Sequence, residues 1–280
     1  MISRIKTDDC LFIRLFHHHL SPEVIGHIKW RVESAADVDD EVCPQVTVSG
    51  VTLTFDMLHQ FHPDASIDRS AMRMMLAVLA KRDSDIMKAY KDVNSDTNNY
   101  QQRYASLFSN PACLQELLEC GGDILEPSTF FNQHFRNQDA RLADAHAGTL
   151  YRIYFTSHAI MQETEEQPVW TLFIADFSKR KIYYINPLHD ASQLDTVGRA
   201  INRFLDKVVN EANRDGQWDC LMYPYIYSQP AQNPAESGLH LMAILYYLVI
   251  ECPVYFNSEY LINHLRYSIA LWMHRGRLPF

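Results

Sequence analysis

The sequence predicts an α+β domain, a central mixed sheet flanked by helices. Three observations predict it. Helical signals dominate up to about residue 135, and three strand signals follow in close succession between 149 and 185. A fourth strand signal, Asp219 to Tyr223, comes only after a long amphipathic segment. An apolar run then extends from Leu239 to Ile250, too short for a bilayer, which takes about 20 such residues, and apolar on every side, as a helix in a protein interior is.

The elements follow in order. Residues 1–45 carry little periodic signal and are assigned to an N-terminal extension, with an acidic, linker-like stretch from Ala35 to Glu41. His17, His18 and His19 are adjacent and so do not share one side of a helix or strand; a solvated turn is the reading, not a metal site. Val46 to Leu53 alternates as a strand, and Thr54 is placed to cap a short helix from Phe55 to Phe61. Asp68 or Ser70 caps a helix from Ala71 to Lys81, whose Met72, Met75, Leu76 and Leu79 recur at helical spacing. Asp83 to Arg103 is polar and reads as a surface excursion. Helical turns follow from Pro111 to Glu119, ended by Gly121-Gly122, and again from Thr129 to Phe135.

The composition then shifts to aromatic and β-branched residues. Thr149 to Phe155, Trp170 to Ala175 and Lys181 to Ile185 read as strands, the last two joined by the turn Asp176 to Arg180 and therefore antiparallel. Ser192 is placed to cap a helix to Asn213, with Leu194, Val197, Ile201, Leu205 and Val208 on one face. A last helix runs from about Ser258 to His274.

At 280 residues and 47% hydrophobic, the chain can bury a large core. Its net charge of −9 argues against nucleic acid, whose binders carry a basic footprint. The six cysteines form neither a zinc pattern nor a disulfide framework and read as reduced thiols, which places the protein inside the cell, in nucleus or cytoplasm. The N-terminus is too charged for a signal peptide, and no membrane span, metal or cofactor is expected.

The candidate site lies at the head of the buried helix, in Gln232-Asn233-Pro234-Ala235-Glu236-Ser237-Gly238. Unpaired N–H groups at a helix start favour negative charge, so Ser237 there is either an N-cap or an activated nucleophile with an oxyanion site beside it.

Three segments in order resemble the SUMO proteases, the ubiquitin-like-protein-specific cysteine peptidases. Trp170-Thr-Leu-Phe-Ile-Ala-Asp176 is similar to their His-Trp-x-Leu strand. Lys181 to Leu188 resembles their Tyr-Tyr-Asp-Ser/Pro-Leu motif, and Gln232 to Gly238 their Gln-x-Asn-x-x-Asp-Cys-Gly motif. Val46 to Lys81 resembles the family's opening, with Ser66-Ile67-Asp68 in place of a Trp-Leu-Asn-Asp element. The resemblance covers residues 46–280 and implies a papain-like cysteine-protease fold with its buried helix beginning at Ser237.

It also implies which chemistry is missing. The family's catalytic His falls on Val169, the carboxylate that orients it on Asn186, and the nucleophilic Cys on Ser237. Gln232 lies at or next to the oxyanion-stabilising position and keeps its residue type, one residue closer to Ser237 than the family spacing. A Ser hydroxyl needs an adjacent base to attack a carbonyl, and Val169 cannot accept a proton. The resemblance therefore implies a degenerate domain with vestigial positions Val169, Asn186, Gln232 and Ser237. Trp170, Gln232, Asn233 and Gly238 are its implied partner-binding residues, Trp170 either as a clamp on an extended tail or as a core aromatic. The implied partner is a ubiquitin-like protein or its C-terminal tail, or the subunits of a larger assembly. The alternative is an active ubiquitin-like-protein peptidase of non-standard layout, with His158, His189 or His240 as the base; Cys220, in a strand, reads as a core thiol.

Overall fold

The computed structural model describes residues 46–62, 65–93, 105–135, 150–159, 167–208, 218–224, 226 and 230–278. The extension 1–45, with its histidine triplet, and the stretches 136–149 and 160–166 lie outside the described residues.

Val46 to Leu53 is a hairpin, not one strand: β1 (Thr47–Val48) pairs antiparallel with β2 (Val51–Thr52). Ser49 and Gly50 both have positive φ, 49° and 77°, as a two-residue turn matched to strand twist requires. Helix α1 (Phe55–His59) follows, and Thr54 Oγ1 accepts from Met57 N at 3.3 Å. Helix α2 (Arg69–Val93) starts at Asp68, whose Oδ1 accepts from Ser70 N (2.8 Å) and Ala71 N (2.9 Å), so Asp68 and not Ser70 is the cap.

The supposed excursion from Asp83 is thus helix as far as Val93. Tertiary bonds hold this polar end: Arg82 donates to Val249 O (3.2 Å), and Asp83 accepts from Ser106 N (2.9 Å). Ser106 belongs to a strand with no alternation to reveal it, β3 (Ala105–Phe108).

Helices α3 (Ala112–Glu119) and α4 (Pro127–His134) precede β4 (Leu150–Ala159), β5 (Val169–Asp176) and β6 (Lys181–Ile185). Helix α5 (Leu194–Val208) then leads to β7 (Asp219–Met222). Ser192 does not cap α5. Its N–H is held by Asp190 Oδ1 (3.0 Å), and the helix begins two residues later.

The five-stranded sheet has the order β3-β4-β5-β6-β7, with the two outer pairings parallel and the two inner ones antiparallel. Alternate residues feed two cores. Tyr154, Trp170, Leu172, Ile174, Tyr183 and Ile185 pack toward the core shared with α2 and the apolar helix. Phe155, Phe173, Ala175, Ile182 and Tyr184 pack toward α3, α4 and α5. That is why all eight residues of β5 are buried, as a strand covered on both faces must be.

The apolar run is helix α6 (Ser237–Val249), buried at every position and entered through a 3-10 turn at Pro234–Glu236. After it come α7 (Ser258–Tyr260), a π-helical turn (Leu261–Leu265) and α8 (Arg266–Arg275), closed by Gly276 at φ 60°.

Candidate functional site

Four chain segments meet at the start of α6. Pro234 and the capping pattern Asn233-x-x-Glu236 shape the entry. Asn233 Oδ1 accepts from Glu236 N (3.1 Å), and the Glu236 carboxylate in return takes Gln232 N and Asn233 Nδ2, each at 3.0 Å. The loop is pinned to the end of β6 by Ala231 N, which donates to Pro187 O (2.8 Å).

Ser237, next along, has no accessible surface. Its hydroxyl donates to Pro234 O at 2.6 Å and accepts from Trp170 N at 3.0 Å. Both partners are backbone groups of the protein, and neither is a base. The hydroxyl ties the head of α6 to the second residue of β5. Val169, immediately before, is fully buried hydrocarbon paired across the sheet with Ala159.

Trp170 is 1% exposed. Its Nε1 donates to Ile67 O (2.7 Å), and its ring stacks on His158 with centroids 4.4 Å apart and planes 9° from parallel. His158 is its cross-strand partner in β4. Gly238 packs beneath. A Cβ there would stand 2.6 Å from Ile67 Cβ and 2.9 Å from Trp170 Cδ1, so only glycine lets the helix approach this closely.

Asn186 is buried and serves its own turn: Oδ1 accepts from Leu188 N (2.8 Å) and Nδ2 donates to Asp190 O (3.1 Å). A carboxylate could accept the first bond but not make the second. Gln232 and Asn233 are exposed.

The histidines fall in different places. His240 is buried in α6 with its ring edge-on to Phe256, 5.6 Å between centroids. Burial drives its pKa down to about 4, against the pull of Glu236 and with the help of nearby His189. His189 is exposed, in a left-handed turn with its N–H on Asn186 O. His158 is held below the usual imidazole value by burial and then by Arg69, against Asp68. Burial and the Asp195 charge push the Cys220 thiol up to about 11, so it stays protonated.

The structure therefore brings Trp170, Ser237 and Gly238 into contact, ties Gln232 and Asn233 into the entry turn, and sets Asn186 in the neighbouring turn. Two residues central to this packing, Ile67 and Glu236, were named by sequence only as members of their segments, with no role assigned. Glu236 had a readable signal, the spacing of a capping box; Ile67 acts through its carbonyl and its bulk and had none.

No protein-family model matches the chain, and no curated protein matches its sequence. Solved structures do. The C-terminal Ulp1 protease domain, in complex with Smt3, the yeast ortholog of SUMO, superimposes with a TM-score of 0.62 at 13% identity, over 92% of this chain and 96% of that one. The fold is that of the Ulp1 protease domain. The Ulp1-like SUMO protease catalytic domain of Chaetomium thermophilum gives a TM-score of 0.61 at 15% identity, covering 92% of this chain and 90% of that chain. Ulp1 with its catalytic cysteine oxidised to a sulfinic acid gives 0.61 at 13% identity. Within the Ulp1 fold, the head of α6 and the start of β5 form one dry junction. Among the described residues no group of three or more His, Cys, Asp or Glu side chains is placed to hold a metal ion, and no helix is long and apolar enough to cross a membrane.

Proposed function

We propose that this chain is a non-catalytic protein-binding module built on the SUMO-protease fold, acting as an intracellular scaffold for a ubiquitin-like protein or for the subunits of a larger assembly. The observation that carries this reading is the state of Ser237. Its hydroxyl is sealed, its proton and its acceptor capacity both go to backbone groups, and Val169 stands beside its partner residue. A nucleophile must be reachable and must have a basic group within about 2.6–3.2 Å to take its proton; the hydroxyl is sealed, and its acceptor is a backbone carbonyl.

The choice of partner rests on the fold, since the Ulp1 domain is seen with Smt3 bound. Of the four candidate contact residues, Gln232 and Asn233 are exposed and available, whereas Trp170 and Gly238 form a closed floor with Ile67. Contact through the outer surface is therefore favoured over a tail threaded across Trp170.

The test is incubation of the full chain, at high concentration, with a fluorogenic SUMO C-terminal substrate, alongside calorimetric titration with intact SUMO. Binding without turnover is the expected result. Turnover that Ser237→Ala abolishes would establish the opposite reading, an active peptidase of non-standard layout, and loss with His240→Ala as well would identify its base.

A further inference from the structure

We propose that the open edge of β7 pairs with the same edge of a second copy of this chain, joining two five-stranded sheets across a two-fold axis. The two edges of the sheet differ. At β3 the edge is closed: helix α2 packs along it, Asp83 takes the Ser106 N–H (2.9 Å), and the pairing with β4 is irregular between Ala105 and Ser106. Natural sheets blunt their edges in such ways. At β7 the register with β6 is regular, no further strand is paired among the described residues, and the strand carries neither lysine nor proline.

One bond fixes which way the main chain of β7 points. Tyr223 N donates to Tyr184 O at 2.9 Å, so Leu221 and Tyr223 turn their main-chain groups toward β6. Cys220 and Met222, alternating with them, turn theirs outward. Pro224, next in the outward series, has no N–H, so the outward donors end at Met222.

The side chains say what covers this edge. Four large apolar side chains are exposed among the described residues, and two of them stand here, Leu221 at 41% and Met222 at 37%. They lie on opposite faces of the sheet, since successive strand residues alternate. Leu221 shares the face of Tyr223, whose ring meets Tyr183 at 5.3 Å between centroids. Met222 shares the face of Cys220, whose thiol reaches the Leu194 carbonyl of α5 at 3.5 Å. A helix or a small molecule lying on one face covers only one of the two. A strand laid along the edge covers both and takes the outward N–H and C=O groups.

The β7 sequence selects itself as that strand. A two-fold axis perpendicular to the sheet runs the two copies antiparallel. Centred on Leu221, it sets Leu221 against Leu221 of the second copy in a non-hydrogen-bonded pair, where side chains come closest. Cys220 then faces Met222 of the second copy, and the reverse, each pair exchanging both main-chain bonds and so using the outward N–H groups of the strand. Asp219 falls opposite Tyr223, so the one charge on β7 never meets its like. A register shifted by two residues one way sets Asp219 against Leu221. Shifted the other way, it sets Pro224 against Cys220, where a bond is lost. The contact is short, below the roughly 1,200 Å² of a standard interface, so the dimer is weak and reversible.

Sedimentation velocity on the full chain over a concentration series reads the dimer, expected with a Kd of about 10–100 μM. Leu221→Lys sets two ammonium groups against each other and weakens it by about tenfold or more. Its melting curve is unchanged, since the side chain is exposed. Leu125→Lys, at the leucine exposed to 95% in the loop after α3, leaves the dimer unchanged. Mild oxidation reads the register. Leu221→Cys brings two Cα atoms to about 4.5 Å and forms a disulfide-linked dimer beyond the wild-type level. Asp219→Cys leaves them about 14 Å apart and does not. A monomer at every concentration up to about 1 mM, a dimer that Leu221→Lys leaves intact, or equal crosslinking of the two cysteine variants overturns the proposal. None of these variants touches the Ser237 junction, so the result stands apart from the reading of that site.

Discussion

Ser237 spends its single hydroxyl on structure. It receives the Trp170 N–H and gives its proton to Pro234 O, so its removal strands a buried donor. Ser237→Ala is expected to destabilise the protein by about 1–3 kcal/mol in urea unfolding. Ser237→Cys is expected to gain no peptidase activity towards a fluorogenic SUMO substrate, because Val169 offers no nitrogen to take the thiol proton. His240 makes a prediction about pH. Its folded pKa of about 4 lies below the value of about 6.5 it takes in an unfolded chain. The unfolded state therefore binds the proton first as pH falls. Stability from this group is complete above pH 6.5 and declines from there down to about pH 4, by on the order of 3 kcal/mol. His240→Phe, which keeps an aromatic ring against Phe256, should flatten that part of the unfolding-versus-pH curve. If it does not, the acid sensitivity has another source. Sequence alone placed Ser237 at a helix head and left cap and nucleophile both open. The deciding fact, that its partners are the carbonyl three residues back and an amide 67 residues away, is a tertiary one.

At the scale of elements, local chemistry was legible wherever a side chain serves its own neighbours. Thr54 and Asp68 cap the helices their positions announce, and α6 is buried along its length as an all-apolar run must be. Asp68→Ala should cost about 1 kcal/mol, read as a lowered urea midpoint, with Asp68→Asn recovering most of it because an amide oxygen can also accept the Ala71 N–H. What escaped was held from a distance. The polar half of α2 carries only a thin apolar row, Ile86, Tyr90 and Val93, among charged residues, and it is tied down through Arg82 on the Val249 carbonyl and Asp83 on the Ser106 amide. The same Asp83 bond helps fix β3, four residues with too short a pattern to register. At α5 the carboxylate of Asp190 outcompetes expectation by holding the Ser192 amide in a turn of its own.

For the molecule as a whole, the mixed sheet between helical layers was foreseeable from the order of segments, and the parallel pairing of β3 with β4 was not, since β3 was hidden. The sheet is shared by two cores, and β5 belongs to both. Leu172 belongs to the core shared with α2 and α6, and Phe173 to the core shared with α3, α4 and α5. Leu172→Ala and Phe173→Ala should therefore each destabilise the protein by about 2–5 kcal/mol, read as a lower midpoint of one common unfolding transition. Far-ultraviolet circular dichroism and tryptophan fluorescence should report it together, Trp170 and Trp272 lying in one core and Trp218 in the other. Two separated transitions would mean that the layers melt independently.

The bond from the Trp170 amide to the Ser237 oxygen has a further consequence for redesign of the junction. A working hydrolase must leave its attacking atom loose enough to meet a substrate and let go of it each cycle. Here that atom is a rivet between strand and helix. Building turnover into this junction would first require some other fastener for the same joint, and only then an imidazole and a thiol.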